Sequence, residues 1–430
     1  MSQTIEDALR LLQMGHAREA EAICRQLLEV APKDGRTLIL SAEVARLLGN
    51  RRAARRYLQE VGSSQPFDPN VVHRAALFLC ELNDLQGAAP LLRQLTKLHP
   101  AAFQFLFDLG QVEEQIGNWQ AAVDAYDAAS ILNSGHPGPF TRRAAILLRR
   151  QFGEPGPTPE SKKQATGLSK RISMTSLGWN GRFGNQLLQY MFLRLYGEVH
   201  GLRVEAPEWL GRWLFELNDP PPSAPLPEYR ETGDLLALSL NKKVPQVFAE
   251  CDLWGYFAYH TSFYRPHRER IRALFQPAPP IKALVDASVA RLRERGKTLV
   301  AIHLRRGDFG YGRFWIAPEQ WYLDWLAEIW PTLEAPVLYI ASDDPEIHRQ
   351  FSAYNPLWVK DLGETVPGVE FYSDFYVLSQ ADVVAISNST FSFCATLLND
   401  KVGLFMRPEP KLKRLIPYEP WDAEVSYEPA

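Results

Sequence analysis

The chain has 430 residues, 46% hydrophobic and 23% charged, with a formal net charge of −3. That length exceeds one ordinary core and predicts two or three domains; the composition excludes a disordered chain, and the charge excludes a global pull on nucleic acid, so no nucleic-acid partner is expected. Four cysteines, Cys24, Cys80, Cys251 and Cys394, lack paired spacing. This argues against a disulfide framework or a zinc site and fits a reducing, cytoplasmic setting. The acidic start lacks the basic region of a signal peptide, and no stretch approaches the about 18 apolar residues of a membrane span.

The first third is periodic. Gly15, Gly49, Asn83 and Gly117 recur at 34-residue intervals, a small residue follows each at Ala20, Ala54, Ala88 and Ala122, and Pro32, Pro66 and Pro100 close the units, with Ser134 in the fourth place. Such markers predict two helices per unit, a turn that needs Gly or Asn, a close helix crossing and a proline stop. This is the layout of tetratricopeptide repeats, an all-α solenoid over residues 1–150 whose concave face binds a protein partner or a second copy.

Residues 151–170 are rich in proline and glycine and read as a linker. Strands and helices then alternate. Strands are expected at 171–176, 202–205, 246–257, 298–302, 337–341, 382–386 and 402–406. Helices are expected at 186–199, 267–275, 281–295, 318–330, 345–351, 371–380 and 391–398, with a proline-rich surface loop at 218–228. Alternation at this spacing means parallel sheets, and the two sets predict two doubly wound halves, 171–295 and 296–430.

Polar groups collect where these strands end, the place where ligands bind open α/β sheets. The strand at 298–302 runs into His303, Arg305, Arg306 and Asp308; the next ends in Asp343 and Asp344; another ends in Ser387, Asn388, Ser389 and Thr390. In the first half, Gly178, Gly181 and Gly184 form a loop before a helix that Asn185 can cap, a layout that suits a phosphate. Adjacent arginines on an extended chain point to opposite faces, so one meets an anion and the other serves the fold. The structural alternatives are an ion pair of an arginine with Asp308, a helix cap for one of Asp343 and Asp344, and a plain tight turn for the glycines. There is no P-loop, nucleophile elbow or metal-ligand cluster, which argues against an NTPase, a serine hydrolase or a metal site.

HLRRGDF (303–309) resembles the H-x-R-R-x-D segment of the fucosyltransferase superfamily. GRFGNQ (181–186) is similar to that superfamily's first glycine loop, and SNSTFSFCA (387–395) resembles the last segment of the α-1,2-fucosyltransferases. LWGYFAYHTSFY (253–264) and YIASDDP (339–345) resemble its intermediate segments, in the same order. The resemblance spans residues 171–410 and leaves out the repeats. It implies a GT-B fold of two Rossmann-like halves, the acceptor side at 171–295 and the GDP-sugar side at 296–430. It implies a bacterial-type, inverting fucosyltransferase that needs neither cofactor nor metal and moves L-fucose from GDP-β-L-fucose to a glycan hydroxyl in an α-1,2 linkage. Carried over by position, His303 and one of Asp343 and Asp344 contact guanine, and Arg305 holds the β-phosphate. Arg182, Gly184 and Asn185 reach the donor from the first half, and Ser387, Asn388, Ser389 and Thr390 form the donor-binding turn. Arg305, Asp308 and Asn185 are the catalytic candidates. The chain departs from related α-1,6 enzymes in having no glutamate shortly after Asp308, and from the α-1,2 family in carrying Phe393 and Cys394 where paired tryptophans are usual. Two alternatives accompany this expectation: a protein O-fucosyltransferase whose repeats present the acceptor, and an inactive GDP-sugar-binding scaffold.

Overall fold

The computed structural model describes residues 4–155, 170–245, 247–401 and 403–427. Most of the expected linker (156–169) and two positions at expected strand starts, 246 and 402, lie outside the described residues. The chain divides into two units, Met1–Ile146 and Leu147–Ala430.

The first unit is all helical: α1 (Ile5–Gln13), α2 (Ala17–Val30), α3 (Gly35–Leu47), α4 (Arg51–Glu60), α5 (Pro69–Glu81), α6 (Leu85–Leu98), α7 (Phe103–Ile116) and α8 (Trp119–Leu132), with α9 (Pro137–Phe152) running across the division. The 34-residue register has a backbone cause. Gly15, Gly49 and Gly117 sit at φ +82°, +79° and +90°, and Asn83 at φ +57°, the left-handed region that glycine enters freely and asparagine tolerates. Ala20, Ala54, Ala88 and Ala122 have no exposed surface, because each lies at a helix crossing with no room for a longer side chain. Short polar caps start the helices: Asp34 accepts from Thr37 N at 2.9 Å and Asn50 from Ala53 N at 3.1 Å.

The second unit carries two mainly parallel sheets. Besides short helices at Gly211–Leu214, Leu235–Leu240 and Arg268–Leu274, its principal elements, in chain order, are β1 (Arg171–Ser173), α10 (Phe183–His200), β2 (Arg203–Glu205), β3 (Glu228–Arg230), β4 (Cys251–Trp254), α11 (Pro279–Arg293), β5 (Thr298–Leu304), α12 (Glu319–Ile329), β6 (Pro336–Ser342), α13 (Phe371–Gln380), β7 (Val383–Ala385), α14 (Thr390–Leu398), β8 (Leu404–Glu409) and β9 (Arg414–Pro417). The first sheet has the order β2-β1-β4-β3 and is parallel throughout; the second has the order β6-β5-β7-β8-β9, with β9 antiparallel to β8. In each sheet the first strand lies inside, and the chain goes to one side before returning to the other. The crevices between β1 and β4 and between β5 and β7 are therefore the points where strand order reverses.

Several details differ from the sequence expectation. Strands β3 and β9 were not anticipated, being three or four residues long with no alternation to detect. The expected helix at 345–351 is a 3-10 helix, Ile347–Tyr354. The proline-rich loop is tied down by Asp219, which accepts from Arg194 Nη1 and Tyr190 Oη, both at 2.5 Å. The sheets are joined by apolar packing: the Phe183 ring at the start of α10 lies 5.0 Å from that of Phe371 and 5.3 Å from that of Phe375 on α13.

Candidate functional site

Arg305 and Arg306 leave the end of β5 in different directions, as their adjacency requires. Arg306 is bound into the fold: Nε and Nη2 donate to Glu319 Oε1 on α12 at 3.0 and 2.7 Å, Nη2 also to Ala317 O, and Nη1 to Arg305 O. The Arg305 guanidinium turns the other way. Its Nη1 lies 3.0 Å from Asp343 Oδ2, and its Nη2 donates to Asp308 Oδ1. The second oxygen of Asp308 lies 3.2 Å from Arg182 Nη2, a side chain carried by the first sheet. Burial lowers the Arg182 pKa from its usual value, and the Arg305 charge adds to this; Asp308 and Asp343 act in the opposite direction. Two guanidiniums from two sheets thus converge on one carboxylate.

Helix starts reinforce this positive field. Arg182 is the N-cap residue of α10 and Ser389 that of α14. The two first turns touch, because a Cβ on Gly184 would lie 2.5 Å from both Phe391 N and the Thr390 carbonyl carbon. Bringing together two helix N-termini, each carrying about half a positive charge, is unfavourable unless an anion faces them. The role of Gly184 is therefore close backbone approach. Asn185 does not cap its helix, contrary to expectation; its carboxamide sits in the first turn without a hydrogen-bond partner among the described residues.

His303 lies on β5 and is buried, with Nδ1 2.8 Å from Ser387 Oγ at the end of β7. Burial, then the charges of Arg305 and Arg306, push its pKa down to about 3, so the ring is neutral. The pair bridges the β5/β7 crevice. Ser389 Oγ accepts from Phe391 N at 3.4 Å as a helix cap. The Asn388 carboxamide is engaged by the main chain: Nδ2 donates to Arg313 O and Tyr427 O, each at 2.9 Å, and Oδ1 accepts from Tyr427 N at 2.8 Å. It pins the C-terminal segment and the loop after β5. Thr390 stands at the α10–α14 contact.

Asp343 accepts from Arg306 N at 2.7 Å as well as pairing with Arg305, so it belongs to the arginine cluster. Gly307 makes room for it, since a Cβ there would lie 2.5 Å from Asp343 Oδ2. Asp344 caps the following turn by accepting from Glu346 N at 2.9 Å, and it also lines a small pocket at the end of β6 with Ser342, His348, Trp358 and Asp374. The His348 and Trp358 rings are stacked, 4.4 Å apart. Asp374 went unnoticed in the sequence. Burial raises its carboxyl pKa to about 7, and Tyr339 Oη donates to one of its oxygens. The available signal was a carboxylate inside an otherwise apolar helix, FYSDFYVLSQ. Among the described residues no cluster of metal-ligating side chains occurs, and no helix is long and apolar enough to cross a membrane.

Residues 75–137 match the tetratricopeptide repeat family model. Galactoside alpha-(1,2)-fucosyltransferase 1 of Leontocebus fuscicollis is 26% identical over 273 residues, which cover 56% of this chain and 71% of that protein. Its counterpart in Alouatta caraya is 27% identical over 279 residues, covering 57% and 72%. The chain is distantly similar to the galactoside α-1,2-fucosyltransferases. The matched length exceeds the whole first unit, so the similarity extends into the two-sheet unit. Among solved structures, MamA is 15% identical, covering 36% of this chain and 88% of that one with a TM-score of 0.29. The structure of YrrB, described as a TPR protein with an unusual peptide-binding site, is 16% identical, covering 34% and 76% with a TM-score of 0.28.

Proposed function

We propose that the two-sheet unit is a GT-B-type inverting fucosyltransferase that moves L-fucose from GDP-β-L-fucose to a hydroxyl of a galactoside-class glycan. The observation that carries this reading is the meeting of Arg182 and Arg305, one from each sheet, beside two helix N-termini. In inverting transfer the acceptor hydroxyl attacks the anomeric carbon and gives up its proton to solvent water, the bond from that carbon to the β-phosphate oxygen breaks, and GDP leaves with the electron pair. The guanidiniums and helix-start N–H groups then face the growing negative charge on the diphosphate, the role a metal ion fills elsewhere. Arg305 is the phosphate ligand and Arg182 its counterpart on the other sheet. Asp308 has both oxygens on guanidiniums, so its role is to align them and not to take the acceptor proton. Neutral His303, held by Ser387, lies on β5, and the His348–Trp358–Asp374 pocket lies at the end of the neighbouring strand β6. Asp374 supplies the carboxylate acceptor for the N1–H and amino group of guanine, the role expected of one of Asp343 and Asp344. Asn185, with an uncommitted carboxamide one turn from Arg182, donates to the donor sugar or phosphate. The tetratricopeptide repeats serve as a protein-binding or self-association surface.

The test is mass spectrometry of products formed from GDP-fucose and a panel of β-galactosides, other glycans and peptides. One deoxyhexose added to a galactoside supports the reading. Addition to peptides alone transfers the assignment to a protein acceptor presented by the repeats. GDP binding without product under any condition leaves a GDP-sugar scaffold instead.

A further inference from the structure

Two part-exposed aromatic side chains stand on the loops that follow β1 and β4, neighbouring strands of the first sheet. Trp179 is 39% exposed and Tyr256 40%. Both are presented on backbone that is held from below. Trp179 lies in a turn bracketed by Gly178 at φ +87° and Gly181 at φ +84°, and the N–H groups of Trp179 and Asn180 both donate to Ser176 O, at 3.0 and 2.9 Å. Asn180 Nδ2 donates to Gly255 O at 3.3 Å, and buried Gln189 donates through Nε2 to Asn180 O at 2.8 Å and to Gly255 O at 3.0 Å. This amide clamp ties the residue after Trp179 to the residue before Tyr256, so the two rings flank one rigid junction.

Tyr256 is fixed on its other side as well. Its N–H and that of Phe257 donate to Glu231 Oε2 at 2.8 and 2.9 Å. Phe257 has φ +54°, a conformation that residues with side chains rarely adopt, and it is held there by burial of its ring 4.6 Å from Phe192 and by a 2.6 Å bond from Tyr264 Oη to its carbonyl. Strain maintained next to an exposed ring points to a use for that ring. Arg182, which reaches Asp308, follows Trp179 by three residues, so the loop that carries Trp179 also carries an arginine of the anion site.

We propose that Trp179 and Tyr256 form the acceptor platform, on which the apolar C–H face of a pyranose ring stacks with its hydroxyls directed towards the donor. The inference rests on the glycosyl-transfer reading above. Pyranose rings pair a flat apolar face with a rim of hydroxyls, and rigid aromatic faces beside polar groups recognise that combination.

The test is saturation-transfer NMR on the full chain with methyl β-galactoside as the probe and GDP present, alongside calorimetry with GDP alone. The platform predicts transfer to the ring protons in the wild type, a loss of about fivefold or more in Trp179→Ala and in Tyr256→Ala, and retention of most of it in Trp179→Phe. No transfer in the wild type, or undiminished transfer in the two alanine variants, overturns the platform. Calorimetry separates the two readings: a protein that binds GDP but shows ring-independent sugar contact loses only the platform. One that ignores GDP yet holds the sugar through these rings keeps the platform and loses the donor assignment. Two alanine variants on separate loops keep the test informative if one fails to fold.

Discussion

Arg182 Nη2 lies 3.2 Å from Asp308 Oδ2 while Arg305 donates to the other oxygen of the same carboxylate, so Asp308 is the point where the charges of the two sheets meet. A diphosphate placed there competes with Asp308 for the same donors. Asp308→Asn removes the negative charge and keeps an acceptor oxygen. Relief of ~1 kcal/mol of like-charge repulsion makes GDP bind about fivefold more tightly, as read by calorimetry. Weaker binding in this variant would mean that alignment of the arginines matters more than competition.

The two adjacent arginines should separate cleanly by experiment. Arg306→Ala strips Glu319 of its partner and leaves Ala317 O unpaired, which costs about 1–3 kcal/mol and shows as a lower melting temperature. Arg305→Ala leaves the melting temperature close to that of the wild type and abolishes GDP binding. The opposite pattern would reverse the two roles.

The helix contact at Gly184 is equally testable. A methyl group there would lie 2.5 Å from main-chain atoms of α14, which cannot swing aside as a side-chain tip would. Gly184→Ala forces α10 and α14 apart at a cost of about 1–3 kcal/mol and weakens GDP binding by moving both helix starts. Calorimetry and thermal melts read the two effects together; a variant unchanged in both would contradict the close approach.

pH reports on Asp374 and His303, both buried. The Asp374 carboxyl is raised to about 7 by burial, above its ordinary value of 3.8, so between those values the folded protein holds a proton that the unfolded chain releases. Its contribution to stability is complete below pH 3.8 and is lost as pH rises through about 7. His303 runs the other way: its pKa is lowered to about 3 from 6.5, so its contribution is complete above 6.5 and is lost as pH falls towards 3. Asp374→Asn should therefore gain in melting temperature over the wild type as pH is raised from 5 to 8. If ionised Asp374 accepts from guanine, GDP affinity in the wild type falls below about pH 7, relative to the flat profile of the variant. A difference profile without pH dependence would remove Asp374 from the base pocket.

Much of this architecture was legible in the chain, for identifiable reasons. The repeat register was visible because Gly15, Gly49 and Gly117 occupy left-handed backbone positions and Ala20, Ala54, Ala88 and Ala122 have no exposed surface; both demands are strict and local. That Arg305 and Arg306 take different partners followed from strand alternation. What stayed hidden depends on partners distant in sequence. The bonds of Asn388 to the main chain of Tyr427 are not visible in the sequence because the two lie 39 positions apart. Asp343 and Asp344 look alike in sequence, and only the paths of the chain around Gly307 and Glu346 assign one to the arginines and the other to a turn. Asp374 was missed because an acid within a helix draws attention only once the faces packed around it are known.

The central claim, a GDP site built from both sheets, is tested most directly by calorimetry of the full chain with GDP and UDP, repeated on Arg305→Ala. The account predicts GDP binding in the wild type, markedly weaker UDP binding and no measurable GDP heat in the variant. Equal affinity for the two nucleotides, or GDP binding that survives loss of the Arg305 guanidinium, would contradict it.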